Sequence, residues 1–188
     1  MPAPVETWTD AKMGQRQNRF TLEFATYAST SGWTEDALSR FCADRGISSD
    51  ERSKHWPAGV RSLGWELNEL ADHNMLDQFT SSSVPCMGDI FLSRFLRNQD
   101  LKPAVAKLAL SDLRHPIDTL ARTRRTARLM WQCYGRPRWS SRLGRGVDTW
   151  LLLFAYSLCV VVWLLDKSPG HGITRRTIRG SLLVIGLR

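Results

Sequence analysis

Apolar residues recur along most of the chain at intervals of three and four, the spacing that places side chains on one face of an α-helix. No segment alternates apolar and polar residues over a length typical of a β-strand. The pattern therefore predicts an all-α protein. We predict helices over about 15–29, 35–44, 48–56, 60–79, 90–98, 103–110, from 116 through 131, 149–165 and 173–188.

Several helix ends are marked by residues that satisfy backbone groups or favour turns. Thr34 before Glu35 and Asp36 predicts an N-cap and an acidic first turn. Gly46 predicts a left-handed residue that ends the second helix. Pro116 suits the first position of a helix, for which we predict an arginine-rich outer face. Its predicted inward residues are Ile117, Leu120, Ala127, Met130 and Trp131.

The most hydrophobic segment runs from Thr149 to Leu165 without a charged residue, between Asp148 and Asp166. As a helix it measures about 25 Å, a little less than the roughly 30 Å hydrocarbon layer of a membrane. The sequence leaves three interpretations open: a central core helix, the wall of an apolar lipid tunnel, or a membrane span. In the tunnel interpretation the lining residues are Trp131, Trp150, Leu153, Phe154, Ser157, Val161 and Leu164.

Charge is distributed unevenly along the chain. Residues 1–99 have a net charge of −3, whereas residues 100–188 have +11. No acidic residue occurs between Thr119 and Val147, a segment with eight arginines, which favours contact with phospholipid headgroups, RNA or an acidic protein over a merely solvated helix face. We predict the contact residues Arg122, Arg125, Arg128, Arg136, Arg138, Arg142 and Arg145.

The last predicted helix places arginines before apolar residues, an arrangement that suits either the edge of an anionic membrane or an ordinary closing helix. The candidate membrane-edge residues are Arg175, Arg176, Ile178, Leu182, Leu183 and Ile185. At the other end, residues 1–20 contain acids and lack the apolar core of a secretory signal.

Residues with reactive side chains do not form a recognisable catalytic or metal-binding motif. The four cysteines contain no CxxC pair, and the four histidines are scattered. We expect no catalytic residue, no metal site and no cofactor, and therefore a protein that is not an enzyme. The unpaired cysteines suit a reducing compartment such as the cytosol or the mitochondrial matrix.

Two groups of residues resemble a known family. The stretch from Gly46-Ile47-Ser48 through His55-Trp56-Pro57, preceded by Gly32-Trp33-Thr34-Glu35-Asp36-Ala37-Leu38, resembles the helix-turn-helix of TetR-type regulators. A second resemblance uses the stretches Gly32-Trp33-Thr34, Ala37-Leu38 and Gly46-Ile47-Ser48-Ser49. Together with Leu22-Glu23-Phe24 and the later matches, they more closely resemble the lipid-binding accessory protein family of ubiquinone (coenzyme Q) biosynthesis, which has a TetR-like fold. The later matching positions are Trp131, Gly135, Tyr156 and Asp166.

The resemblance implies a TetR-like helical domain over residues 18–188, after an extension of residues 1–17. Its helix-turn-helix part would cover 18–80 and its C-terminal bundle 89–188. The implied function is non-catalytic binding of an isoprenoid lipid or phospholipid at a membrane surface, for a protein of the quinone pathway, with a homodimer possible. The implied location is the matrix side of the mitochondrial inner membrane, or the periphery of the membrane in a bacterial cytoplasm.

One segment departs from this family and leaves two other functions open. Where the family has an acidic aromatic patch for its partner, residues 136–145 are basic, which predicts a different partner. The chain could instead be a structural subunit of a mitochondrial inner-membrane complex or ribosome, binding lipid, RNA or acidic protein through Arg122–Arg145. A TetR-type DNA-binding regulator, using Arg52 and Lys54, is disfavoured because Asp50 and Glu51 begin the recognition helix.

Overall fold

A computed structural model describes residues 6–79, 85–135 and 142–187, with side chains from residue 18 onward except those of 142–145. Within these ranges the chain is all-α, as the sequence predicted, and contains no strand. The helices are α1 (Glu6–Ser31), α2 (Glu35–Asp44), α3 (Ser49–His55), α4 (Val60–Leu76), α5 (Met87–Leu96), α6 (Lys102–Asp112), α7 (Pro116–Tyr134), α8 (Arg142–Leu165) and α9 (Gly172–Val184).

The predicted helix boundaries agree best where a capping residue marks them. Thr34 caps α2 by accepting a hydrogen bond from the Ala37 backbone N–H, and Gly46 has a positive φ of 66°. Ser48 and Glu51 form a reciprocal capping box at the start of α3. The helices α1 and α8 begin earlier than predicted, because their first turns carry no apolar stripe of helical spacing.

The chain forms two compact units: Met1–Leu70 with Pro103–Ser111, and Ala71–Lys102 with Asp112–Arg188. We call them unit 1 and unit 2. In unit 1, α1 packs on α2 around aromatic rings, with Phe24 and Phe41 in edge contact at 5.4 Å. Phe20 stacks on Trp56 at 4.1 Å, and the Trp56 indole N–H donates to Glu66 at 3.1 Å. Unit 1 is thus held by interlocking aromatic side chains.

Unit 2 is built around α5, which packs against α7, α8 and α9. In turn α8 packs against both α7 and α9. The buried residues Phe91 and Phe95 of α5 contact the ring of Tyr156 in α8. Unit 2 therefore supports α8 from one side and leaves its other side open to solvent.

A charged pair lies inside unit 2. Asp72 and Arg94 are 2% and 7% exposed, and the Arg94 Nε donates to the Asp72 carboxylate at 3.0 Å. The Thr126 hydroxyl donates to the same carboxylate at 3.0 Å, joining α4 and α5 to α7. Burial raises the pKa of Asp72, and Arg94 and Thr126 oppose that rise. These contacts fix α7 in position against α5.

Candidate functional site

The apolar helix α8 has two different sides. Its buried side carries Leu152, Tyr156, Cys159 and Trp163, spaced at three and four residues. The Tyr156 ring stacks on Phe95 with centroids 5.8 Å apart. Since Trp163 also lies 5.5 Å from Phe95, this side of α8 is anchored to α5 by aromatic packing.

The opposite side of α8 exposes large apolar side chains along its length. Phe154 is 66% exposed and Leu165 is 73% exposed. The spacing of three and four residues places these side chains on one face, about 27 Å long. We call this face the α8 stripe; it consists of Val147, Trp150, Leu151, Phe154, Leu158, Val161 and Leu165.

The predicted tunnel residues are divided between these two sides. Trp150, Phe154 and Val161 are exposed and belong to the α8 stripe, whereas Leu153 is buried. Ser157, Leu164 and Trp131 are half-buried. The prediction missed Leu151, Leu158 and Leu165 of the stripe, since every residue between Asp148 and Asp166 is uncharged and polarity does not separate the two faces. It also missed Val147, which lies before the predicted start of the helix.

The arginines of α7 also fall on two sides, and one prediction about them is wrong. Arg122 is buried and donates to the carboxylate of Asp112, so its guanidinium is not available to an anionic partner. Arg124, Arg125 and Arg128 are exposed. Of the other predicted contact residues, Arg136 and Arg138 lie outside the described residues, as do the side chains of Arg142 and Arg145.

The apolar residues at the start of α7 correct a second prediction. Ile117 and Leu120 were expected to face inward, but they are 81% and 42% exposed. They share the exposed face with Arg124 and Arg128, at positions separated by three, four and four residues. Ala127 and Met130 are buried, as predicted, together with Arg122 and Thr126, whereas Trp131 is half-buried. The ion pair of Arg122 with Asp112 lies on this inward face.

Helix α9 presents its arginines to solvent, as expected for a basic edge. Arg175, Arg176 and Arg179 are exposed, as is Leu183, and Ile185 is half-buried. The predicted membrane-edge residues Ile178 and Leu182 are buried, so that part of the prediction is wrong. They lie on the face of α9 that packs toward α5 and α8.

The connection between α8 and α9 is organised by Asp166, which is 2% exposed. Its carboxylate accepts hydrogen bonds from the Ser168 hydroxyl and backbone N–H at 2.5 and 2.9 Å. It also accepts from the Thr174 backbone N–H and hydroxyl, at 2.8 and 2.7 Å. These donors, the Ser168 hydroxyl first, hold the pKa of Asp166 well below its usual range.

The low pKa of Asp166 predicts a pH-dependent contribution to stability. A carboxyl whose pKa is lower in the folded than in the unfolded state stabilises the fold above its unfolded pKa of about 3.9, and this contribution is lost as the pH falls further. Asp166→Asn should therefore be less stable than the wild type at neutral pH, and the difference should narrow below about pH 4. Urea unfolding of both proteins, from neutral pH to below about pH 4, measures the difference in their free energies of unfolding. A difference that stays constant down to about pH 2 would contradict the assignment.

The remaining reactive side chains are the candidate metal ligands and the four cysteines. Within the described residues, no three or more His, Cys, Asp or Glu side chains are grouped so that they could hold a metal ion. Burial raises the pKa of all four cysteine thiols, that of Cys159 to about 11. At neutral pH these thiols are protonated and are weak nucleophiles.

The predicted DNA-recognition helix corresponds to α3, which has no buried residue; Glu51 and Arg52 make contacts within unit 1. The Glu51 carboxylate accepts from the Ser48 backbone N–H in the capping box at 3.1 Å. Arg52 donates to the Ser39 hydroxyl at 2.6 Å. The acidic side chains therefore occupy the start of α3, where base-reading residues of a helix-turn-helix would be placed.

Among the described residues, one helix is long and apolar enough to cross a membrane, over Gly146–Leu165, which by itself is weak evidence for a span. A comparison of the chain with models of known protein families gives no match, and a comparison with curated proteins gives no significant match.

Proposed function

We propose that this protein is a non-catalytic lipid-binding accessory protein that holds an isoprenoid lipid or phospholipid against the α8 stripe. The observation that carries the proposal is the stripe itself, an unbroken row of seven exposed apolar side chains on a helix whose other side is anchored in the core. Soluble monomers rarely expose continuous apolar patches larger than a few hundred Å², and such patches mark binding surfaces.

The chemistry of the stripe suits a hydrocarbon chain as the occupant. Between Asp148 and Asp166 the helix has no charged side chain. A bound hydrocarbon chain therefore removes no charged group of this segment from water. Removing apolar surface from water contributes about 25 cal/mol per Å². A lipid tail lying along about 27 Å of helix thus buries apolar surface over the whole length of the stripe, and this burial contributes to the binding free energy.

The wider biological assignment rests on the sequence resemblance. A divergent member of the ubiquinone-biosynthesis lipid-binding family, with a TetR-like fold, would work beside a quinone-pathway protein or a mitochondrial membrane complex. It would lie on the matrix side of the inner membrane, or at the membrane periphery in a bacterial cytoplasm. The basic segment of residues 136–145 supports a partner different from that of other members.

Native mass spectrometry and solvent extraction of the purified protein test lipid binding. We expect a co-purifying lipid, and we expect its loss from a Phe154→Glu/Leu158→Glu variant, which places two charges in the stripe. Leu110→Glu is the matched control, since Leu110 is 64% exposed but lies on α6 in unit 1. A wild-type protein that carries no lipid, or a stripe variant that carries as much lipid as the control, would overturn the proposal.

A second candidate, a structural subunit of a larger mitochondrial assembly, is favoured by the exposed arginines of α7. Arg124 and Arg128 lie on a helix whose one acidic residue, Asp118, is half-buried. Such a surface also fits RNA or an acidic protein. Gel filtration of native extracts separates the candidates: migration at hundreds of kilodaltons supports the structural subunit, and migration as a small free protein contradicts it.

A further inference from the structure

The solvent-exposed side of α7 forms a second surface of mixed composition, on a different helix from the α8 stripe. Six exposed residues of α7 follow one another at intervals of one, three or four, which places them within an arc of about 120° around the helix axis and along about 22 Å of its length. We call this surface the α7 face; it consists of Ile117, Leu120, Ala121, Arg124, Arg128 and Gln132. Its first half is apolar and its second half is basic.

Contacts on the opposite side of α7 fix the direction of this face. The buried hydroxyl of Thr126 donates to the Asp72 carboxylate at 3.0 Å, and buried Arg122 forms an ion pair with Asp112. At about 100° per residue, Thr126 lies about 180° around the helix from Ile117, the first residue of the face. Polar contacts within unit 2 therefore hold the α7 face toward solvent.

The arginines of the α7 face have no acidic partner in the part of the chain that the structure describes. Neither Arg124 nor Arg128 forms an ion pair there. The one acidic residue of α7, Asp118, is half-buried and does not belong to the face. The face thus carries a positive charge that an anionic partner would complement.

The apolar half of the α7 face favours a protein over a nucleic acid as that partner. RNA contacts proteins through its phosphates and through bases stacked on aromatic or guanidinium planes, so it would leave Ile117 and Leu120 in water. Nucleic-acid affinity also depends on many phosphate contacts, and the face offers two arginines. A polypeptide that carries apolar residues and carboxylates on one side would cover both halves.

We propose that the α7 face binds an acidic amphipathic helix of a partner protein. Apolar side chains of that helix pack on Ile117 and Leu120, and its carboxylates, one to two turns further along, pair with Arg124 and Arg128. A partner helix of about 15 residues matches the length of the face. The inference goes beyond the proposed lipid binding, since it makes no use of the α8 stripe.

A second copy of the α7 face does not have this chemistry. In a two-fold symmetric contact the same patch faces itself. An antiparallel arrangement would then place Arg124 and Arg128 of each copy against the apolar half of the other, with no carboxylate on either face. Self-association would leave the arginines without anions, so the complementary helix belongs to a different protein.

Fluorescence anisotropy with synthetic helical peptides of about 15 residues tests the proposal. The probe peptides carry leucines in one half of a single face and glutamates in the other half, and two versions with the halves exchanged allow for both directions of the helix. Matched control peptides carry lysines in place of the glutamates. We expect one of the glutamate peptides to bind the wild-type protein at least about tenfold more tightly than its lysine counterpart.

Charge reversal on the α7 face should reverse this preference. Arg124→Glu/Arg128→Glu should bind the lysine peptide more tightly than the glutamate peptide, because the like charges are exchanged for opposite ones. Ile117→Ser should weaken the binding of both peptides, since it removes apolar contact area. The matched control is Arg176→Glu/Arg179→Glu, which makes the same change in charge at exposed positions of α9 and should retain the preference of the wild type.

Three outcomes would overturn the α7 face as a docking site for an acidic helix. The first is no measurable binding of either glutamate peptide. The second is the same loss of preference in the α9 control as in the α7 variant, which would mean general charge attraction. The third is binding of polyuridylate that is tighter than that of either glutamate peptide and is lost in Arg124→Glu/Arg128→Glu, which would identify a nucleic-acid surface instead.

Discussion

Replacement of Asp72 by alanine is expected to lower the free energy of unfolding of unit 2 by about 3–5 kcal/mol, because it removes the carboxylate that contacts the buried guanidinium of Arg94. Arg94 is 7% exposed, and its Nε donates to Asp72 at 3.0 Å. The variant also removes the acceptor of the Thr126 hydroxyl, which joins α7 to this pair. Urea unfolding followed by circular dichroism measures the loss.

The double variant Asp72→Ala/Arg94→Met supplies the control for this prediction. Replacing both members of a buried ion pair by apolar residues is far less costly than removing one, since no charge is left buried. The double variant should therefore recover a large part of the stability lost in Asp72→Ala. If the two variants were equally unstable, the loss would come from altered packing and not from an uncompensated charge.

Phe95→Ala is the second prediction with a large expected effect. Phe95 is 2% exposed and contacts the rings of Tyr156 and Trp163, so its removal opens a cavity where α5 supports α8. The expected cost is about 3–5 kcal/mol. Phe154→Ala makes the same chemical change on the opposite side of α8, where the ring is 66% exposed, and should change stability by less than about 0.5 kcal/mol.

Comparison of these two phenylalanine variants tests the division of α8 into a buried and an exposed side. Chemical denaturation of both proteins under identical conditions gives the two free-energy differences. A cost for Phe154→Ala close to that for Phe95→Ala would mean that the ring of Phe154 is buried in solution. In that case the α8 stripe would not be an open surface.

Local sequence signals predicted most of the helices and several of their ends. Thr34, Gly46 and Pro116 act through contacts within a few residues, so their roles as cap, left-handed residue and first helical position could be read from the sequence. The first turns of α1 and α8 carry no apolar stripe, so the starts of these two helices were predicted too late in the chain. The all-α class followed from the same short-range periodicity.

The directions in which helix faces point could not be read in the same way. In α8 both sides are apolar, and contacts with Phe91 and Phe95 of α5 decide which side is buried. In α7 a charged residue, Arg122, is buried, and Asp112 of α6 forms an ion pair with it. Both outcomes depend on residues of other helices. The periodicity of apolar residues within one helix gives no information about such contacts.

The central claim, that the α8 stripe meets lipid, is tested most directly by photocrosslinking from the stripe. A photoreactive benzoylphenylalanine in place of Phe154 should form crosslinks to lipid when the protein is irradiated with anionic vesicles. The same group in place of Leu110, on α6, should form none. Crosslinks from position 154 to a second copy of the chain, or equal lipid crosslinking from both positions, would contradict the account.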